Sequence, residues 1–235
     1  MIWQVPRIWE GGEVWILGGG PSVTKQFNIP DAIVDCVRSG ERPPSIYSPY
    51  MKAIHNKHVI AINAAYLIGD WMDMVFFGDA NFYLPHEERL AKWPKLKVSC
   101  HATTANVPWI KFLDKDTNHS RGISSNPGMV SWNTNSGSAA ISIAANAGAK
   151  RIVLLGFDMS LDSNGFSHWH SEYKNSPRNS GIPPKPNPKD SPFHKHITGF
   201  HQIAIDAKLR GIEILNASPE SVITELRKVN VKDIL

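Results

Sequence analysis

The side chains equipped for chemistry fall into a few short groups. Gly18-Gly19-Gly20-Pro21-Ser22 sets three glycines before a helix start, with Ser22 as its N-cap. Glycines let backbone N–H groups close on a phosphate, and a helix N-terminus favours its charge. The run is not GxGxxG and lacks the lysine of a P-loop, so a plain tight turn is the competing reading. Asn133-Thr134-Asn135-Ser136-Gly137 opens an Ala-rich stretch. Its polar groups can cap a helix, or its free N–H groups can hold a ribose or phosphate. Asp158 closes a very apolar run, where a carboxylate accepts bonds from ribose hydroxyls, holds a metal or simply caps. Histidines crowd the later chain: His168 and His170 flank Trp169, and His194, His196 and His201 follow. Imidazole near neutral pH suits a general base. A His-x-His pair can ligate zinc, but no cysteine or His-x-x-x-His partner accompanies it, so no metal site is assigned.

The elements that must position these groups alternate. Apolar runs at 13–17, 58–62, 74–77, 151–155 and 212–215 read as strands, ending respectively at Gly18, Asn63, Gly78-Asp79, Gly156-Phe157-Asp158 and Asn216, and Lys97-Val98-Ser99 reads as a further strand. Helices are expected over 31–38, 87–91, 136–149, 194–209 and 219–228, with loop over 39–50. Residues 108–113 fit either kind of element. The segment 160–192 is rich in Pro, Asn and Ser and reads as a lid-like loop, because a clean helix–strand pattern resumes after it. Strands alternating with helices predict an α/β fold, a mainly parallel sheet covered by helices on both faces, in a single domain over 1–235. Such sheets bind ligands beyond the carboxyl ends of their strands. Gly18 to Ser22, Asn63, Asp79 and Asp158 all fall there.

Composition narrows the function classes. The 235 residues are 42% hydrophobic, which supplies a core. The net charge of +4 suits an anionic ligand, while the lack of a long basic run argues against duplex DNA binding. Two cysteines, Cys36 and Cys100, exclude a disulfide scaffold. The first twelve residues do not form a basic-then-apolar leader, and no apolar run reaches 18 residues. A cytoplasmic protein with no membrane span is expected, in a bacterium or a phage-infected cell.

Four segments together resemble the bacterial sialyltransferases of glycosyltransferase family 42 and related Rossmann-like domains of bacterial and phage proteins. They are Ile16 to Ser22, Ile60 to Asn63, Asn135 through Asp158, and His194 with the helix and strand leading to Ser218-Pro219-Glu220-Ser221. The resemblance implies a Rossmann-like transferase with a CMP-sugar donor and no required cofactor. It implies that Asn63 contacts the nucleotide, that Ser136 and Gly137 line the donor site, and that Asp158 holds the ribose or base. It makes His194 the base that deprotonates the acceptor hydroxyl. Ser160 falls where the family stabilises the leaving phosphate, with His168 or Tyr173 nearby. Gly19 and Asp79 stand where the family carries asparagine.

Three functions follow. One is a glycosyltransferase using a nucleotide sugar, its acceptor a glycan, a small molecule or modified DNA. Another is a pyrophosphokinase-like transferase, with Asp79 and Asp158 holding Mg²⁺. The third is a nucleotide-binding protein without catalysis. Metal dependence separates the first two, and turnover separates both from the third.

Overall fold

A computed structural model of the chain describes residues 2–173 and 193–235. The apolar runs become strands of one parallel sheet. β1 (Glu13–Leu17), β2 (His58–Ile62), β3 (Met74–Phe77), β4 (Leu96–Ser99) and β5 (Ile110–Phe112) lie side by side in that order. A small parallel pair, β6 (Asp114–Lys115) and β7 (Met129–Val130), stands apart. The chain then returns to the other side of β1, adding β8 (Arg151–Leu155), β9 (Glu213–Asn216) and β10 (Arg227–Lys228). The order is β10-β9-β8-β1-β2-β3-β4-β5, and the strand direction is parallel throughout. This is the Rossmann-like α/β arrangement expected.

Strand periodicity divides the core in two. Val14, Ile16, Ile60, Ile62, Met74, Phe76, Ile152 and Leu154 face one layer; Trp15, Leu17, Val59, Ala61, Val75, Phe77, Val153 and Leu155 face the other. Both faces are buried, so the strands read as continuous apolar runs rather than alternating ones. α4 (Ser136–Asn146) and α6 (Phe200–Leu209) cover the first face. α1 (Ser22–Gln26), α2 (Asp31–Ser39), a 3₁₀ stretch at Pro44–Ile54 and α3 (Ala80–Lys92) cover the second. Every residue of α4 is buried. Its outer side is sealed by the 113–132 segment, whose Ser124 and Ser131 N–H groups donate to Ser142 Oγ. Small residues let the helix lie close on both sides.

Several expectations are corrected. Residues 39–50 are not all loop: Pro44 starts the 3₁₀ stretch, which buries Tyr47, Met51 and Ile54. α3 begins at Ala80, well before Glu87; Pro85 disguised it, but Phe82, Tyr83, His86 and Leu90 bury enough surface to carry the helix through a missing N–H. The region 108–113 supplies the edge strand β5. The helix from His194 is two pieces, α5 (Phe193–His196) and α6, broken where Gly199 passes over Asn133. The helix expected at 219–228 is a turn followed by β10. There Ser221 Oγ donates to Phe157 O at 2.6 Å and Val222 N donates to Asp158 O at 3.1 Å. These bonds to β8's end, together with β-branched Val222, Ile223 and Thr224, outcompete a helix.

The 160–192 loop is described as far as Tyr173 and again from Phe193; residues 174–192, its remaining part, lie outside the described residues. The first part is packed, not loose. Trp169 is fully buried, and its backbone and indole N–H groups donate to Gly19 O and Gly18 O. The buried pair Arg38–Asp162, at 2.8 Å, ties the loop to α2, and Arg89–Glu172, at 2.6 Å, ties it to α3. Among the described residues no helix is long and apolar enough to cross a membrane.

Candidate active site

The strand order reverses between β1 and β8, and a cleft of ≈ 250 Å³ opens there at their carboxyl ends. This is where an open parallel sheet leaves room for a ligand. Gly18, Gly19, Gly20, Asn63, Asp79, Ser136, Gly137, Asp158, Ser160 and His168 all line it. Three expected residues do not: Ser22, His170 and His194.

Ser22 lies beneath the cleft floor. It is not the N-cap of α1, a place taken by Pro21. Its N–H donates to Asp158 Oδ1 at 3.2 Å and its hydroxyl to Asp158 Oδ2 at 3.0 Å. Asp158 thus ties the end of β8 to the start of α1. Gly20 permits this: a Cβ there would overlap Asp158 Oδ2 and come 2.5 Å from Gly156 O. Burial pushes the Asp158 carboxyl up to about 6, against the opposing bonds from Ser22.

The N-terminus of α4 forms the opposite wall. Asn135 caps it, its Oδ1 accepting from Ser138 N at 3.0 Å. Ser136 Oγ is buried and has no hydrogen-bond partner, and Asn63 Oδ1 shares that condition. Unpaired buried oxygens are costly, and both of these belong to residues that line one cleft. Asn63, Asn133 and Thr134 all hold positive φ, at 50°, 50° and 62°. A β-branched residue in that region is strained. Asn133 holds the turn by bonds to Gly122 N, Gly122 O and Ser131 O. Thr134 Oγ1 then donates to Lys195 O at 2.7 Å, fastening α5 beside α4.

Through that fastening α5 presents Phe193 and His196, not His194, to the cleft. His194 is exposed on another side of the short helix. Burial lowers the His196 pKa, nearby Asp79 opposes this, and His194 adds to it. Behind the glycine turn His168 and His170 meet Tyr173 edge-on and each other at a tilt, ring centroids 4.9–5.1 Å apart. Burial brings His168 down to about 4 and His170 well below its ordinary value, with neighbouring charge adding to both. Both rings are therefore neutral at pH 7. His168 keeps an edge in the cleft, with Nδ1 2.7 Å from Ser167 Oγ.

Trp132, Ser167, Met159 and Phe157 also line the cleft, although sequence reading did not single them out. Trp132 directly precedes the Asn133–Gly137 cluster, and that adjacency was the available signal. Among the described residues, Asp79 and Asp158 are the two carboxylates that line the cleft. Among the described residues no group of three or more His, Cys, Asp and Glu stands together as a metal site.

The fold and cleft define a class, a Rossmann-like α/β protein with an open cleft at the switch point. No protein-family model matches the sequence. No curated protein matches it either. Among solved structures, the MAf glycosyltransferase of Magnetospirillum magneticum AMB-1 superposes with a TM-score of 0.60 at 10% identity, over 98% of this chain and 35% of its own. This chain therefore spans about a third of that protein. A point variant of the sialyltransferase CST-II in complex with CMP gives a TM-score of 0.50 at 14% identity, over 93% of this chain and 86% of its own. The sialyltransferase CstII of Campylobacter jejuni with the substrate analogue CMP-3FNeuAc gives 0.49 at 14% identity, over 93% and 86%. At these identities the likeness is one of fold, and the fold is one that glycosyltransferases use.

Proposed function

We propose that the chain works as one nucleotide-binding transferase unit that moves a sugar from a nucleotide-activated donor to a hydroxyl acceptor. One observation carries this reading. The switch-point cleft gathers a glycine turn, a helix N-terminus with the unpartnered Ser136 Oγ, the unpartnered Asn63 Oδ1 and a neutral-leaning histidine. The first three suit phosphate and ribose oxygens. In this reading Asp158 accepts bonds from the ribose, and Ser160 and His168 donate toward the leaving phosphate. An acceptor hydroxyl must lose its proton as it attacks the anomeric carbon. His196, on the cleft wall, takes that proton; the role implied for His194 passes to its neighbour because, of the two, it is His196 that lines the cleft. The fold shared with the glycosyltransferases supports the assignment without specifying donor or acceptor.

The test is a thermal-shift screen of nucleotides and nucleotide sugars followed by turnover with and without EDTA. A ligand at about 100 times its Kd adds about 2.7 kcal/mol of stability. Metal-independent turnover is expected. Turnover that vanishes with EDTA and returns with Mg²⁺ favours the pyrophosphokinase-like reading, in which Asp79 and Asp158, both on the cleft, hold the ion. Tight binding without any turnover leaves a nucleotide-binding protein.

A further inference from the structure

The cleft has two unlike ends. Toward β1 and α4 it is glycine, amide and hydroxyl, with the Asp158 carboxyl tied to Ser22. Toward β3 it holds an indole and a carboxylate, Trp132 and Asp79. Neither is explained by holding a phosphate.

Trp132 is half-buried and fixed. The Cζ3–Cη2 edge of its six-membered ring abuts Gly78, so close that any Cβ there would overlap it. The Lys115 ammonium sits 4.1 Å from the ring centroid. An indole held on two sides loses little freedom when a ligand packs on its remaining surface.

Asp79 occupies the N-cap position of α3, where aspartate ordinarily accepts a bond from the helix's first turn. Here its side chain makes no capping bond. The residue is exposed, and its carboxylate takes part in no hydrogen bond or ion pair among the described residues. The charged residue best placed to cap its own helix instead stands open beside the cleft, next to His196.

We propose that this end is a sugar subsite, with Trp132 as the platform for a pyranose ring and Asp79 as the acceptor for its hydroxyls. It takes a sugar without a carboxylate. A pyranose offers C–H groups to an aromatic face and paired hydroxyls to a carboxylate, and both partners stand here. An acidic sugar would bring a second negative charge to Asp79. The proposal rests on the transferase reading above, deepening it by naming the sugar class.

The experiment is calorimetric titration of the full chain. Bare CMP, UDP, GDP, ADP and dTDP come first. The best binder is then compared with its neutral and acidic sugar esters, for UDP these being UDP-glucose and UDP-glucuronate. The neutral ester is expected to bind at least roughly fivefold more tightly than the acidic one. Asp79→Asn closes that gap by improving the acidic ester. Trp132→Ala weakens the neutral ester about fivefold while bare nucleotide stays within about twofold. Trp132→Phe, a milder change, keeps part of the effect and guards against misfolding. If CMP is the best nucleotide, CMP-N-acetylneuraminate should bind more weakly than bare CMP.

Equal affinity for neutral and acidic esters overturns the proposal. So does Trp132→Ala weakening bare nucleotide as much as the ester. A Mg²⁺-dependent loss of bare-nucleotide binding in Asp79→Asn overturns it too, by assigning Asp79 to the phosphates. If bare nucleotide binds and the sugar changes nothing, the subsite alone falls. If no nucleotide binds, the transferase reading falls and takes the subsite with it.

Discussion

Asp158 offers a test in which stability and function pull apart. Its carboxyl is buried, 6% exposed, and burial holds it at about 6 rather than the ordinary 3.8. A raised carboxyl binds its proton more tightly in the folded state than in the unfolded chain. Stability is therefore greatest below about pH 4, falls as pH rises toward 6, and stays reduced above that. The full loss is about 3 kcal/mol, from 1.36 kcal/mol for each pH unit of displacement. Asp158→Asn removes the titration while keeping one oxygen for the Ser22 N–H. Urea unfolding at pH 4.5 and 7.5 is the assay, since a change in midpoint at constant slope reports stability. The variant should gain on wild type by about 2 kcal/mol between those pH values, and should lose nucleotide affinity. Hydroxyl donors from a ribose favour the ionised form, so wild-type nucleotide binding should weaken as pH falls below about 6. A variant whose stability relative to wild type does not change with pH would refute the buried-carboxylate argument. One that binds nucleotide normally would remove Asp158 from the site.

Other outcomes follow from the same geometry. His196→Ala should lower turnover by roughly 10²–10⁴-fold with nucleotide affinity little changed, while the exposed His194→Ala stays near wild type; the reverse pattern in steady-state kinetics would return the base to His194. Arg38→Met leaves Asp162 buried without its cation and should cost about 3 kcal/mol in urea unfolding, with Arg38→Met/Asp162→Asn recovering part of it; an additive double variant would show that the pair is not coupled. Gly20→Ala forces a Cβ onto Asp158 and Gly156 O and should cost about 1–3 kcal/mol along with nucleotide binding, read by thermal unfolding and calorimetry.

Much of the frame was legible because local signals agreed with it. The runs at 13–17, 58–62, 74–77 and 151–155 are buried on both faces, so their apolar character is uninterrupted and their ends are marked by Gly, Asn or Asp. The helix from Ser136 could be read because Asn135 caps it and small residues fill it. Once strands and helices alternate, the residues that end the strands must gather on one edge, and ten of the expected site residues do so.

What stayed hidden depends on partners distant in sequence. Ser218 and Ser221 serve Phe157 some 60 residues away, so a segment that reads as a helix becomes a turn and an edge strand. Asp162 finds Arg38 across 124 residues, turning a polar, Pro-rich stretch into a packed loop up to Tyr173. Two histidines spaced two apart look equivalent in a sequence. Thr134 and Asn135, bonding the carbonyls of Lys195 and His196, place α5 so that His196 meets the cleft and His194 meets solvent. Trp132 gains meaning only when Gly78 and Lys115 close around it. Periodicity and capping are properties of neighbouring residues, so the chain alone determines its long buried strands, their ends and the edge where the cleft opens. Which side chain faces that cleft depends on rotations and long-range hydrogen bonds that exist only once the layers have packed.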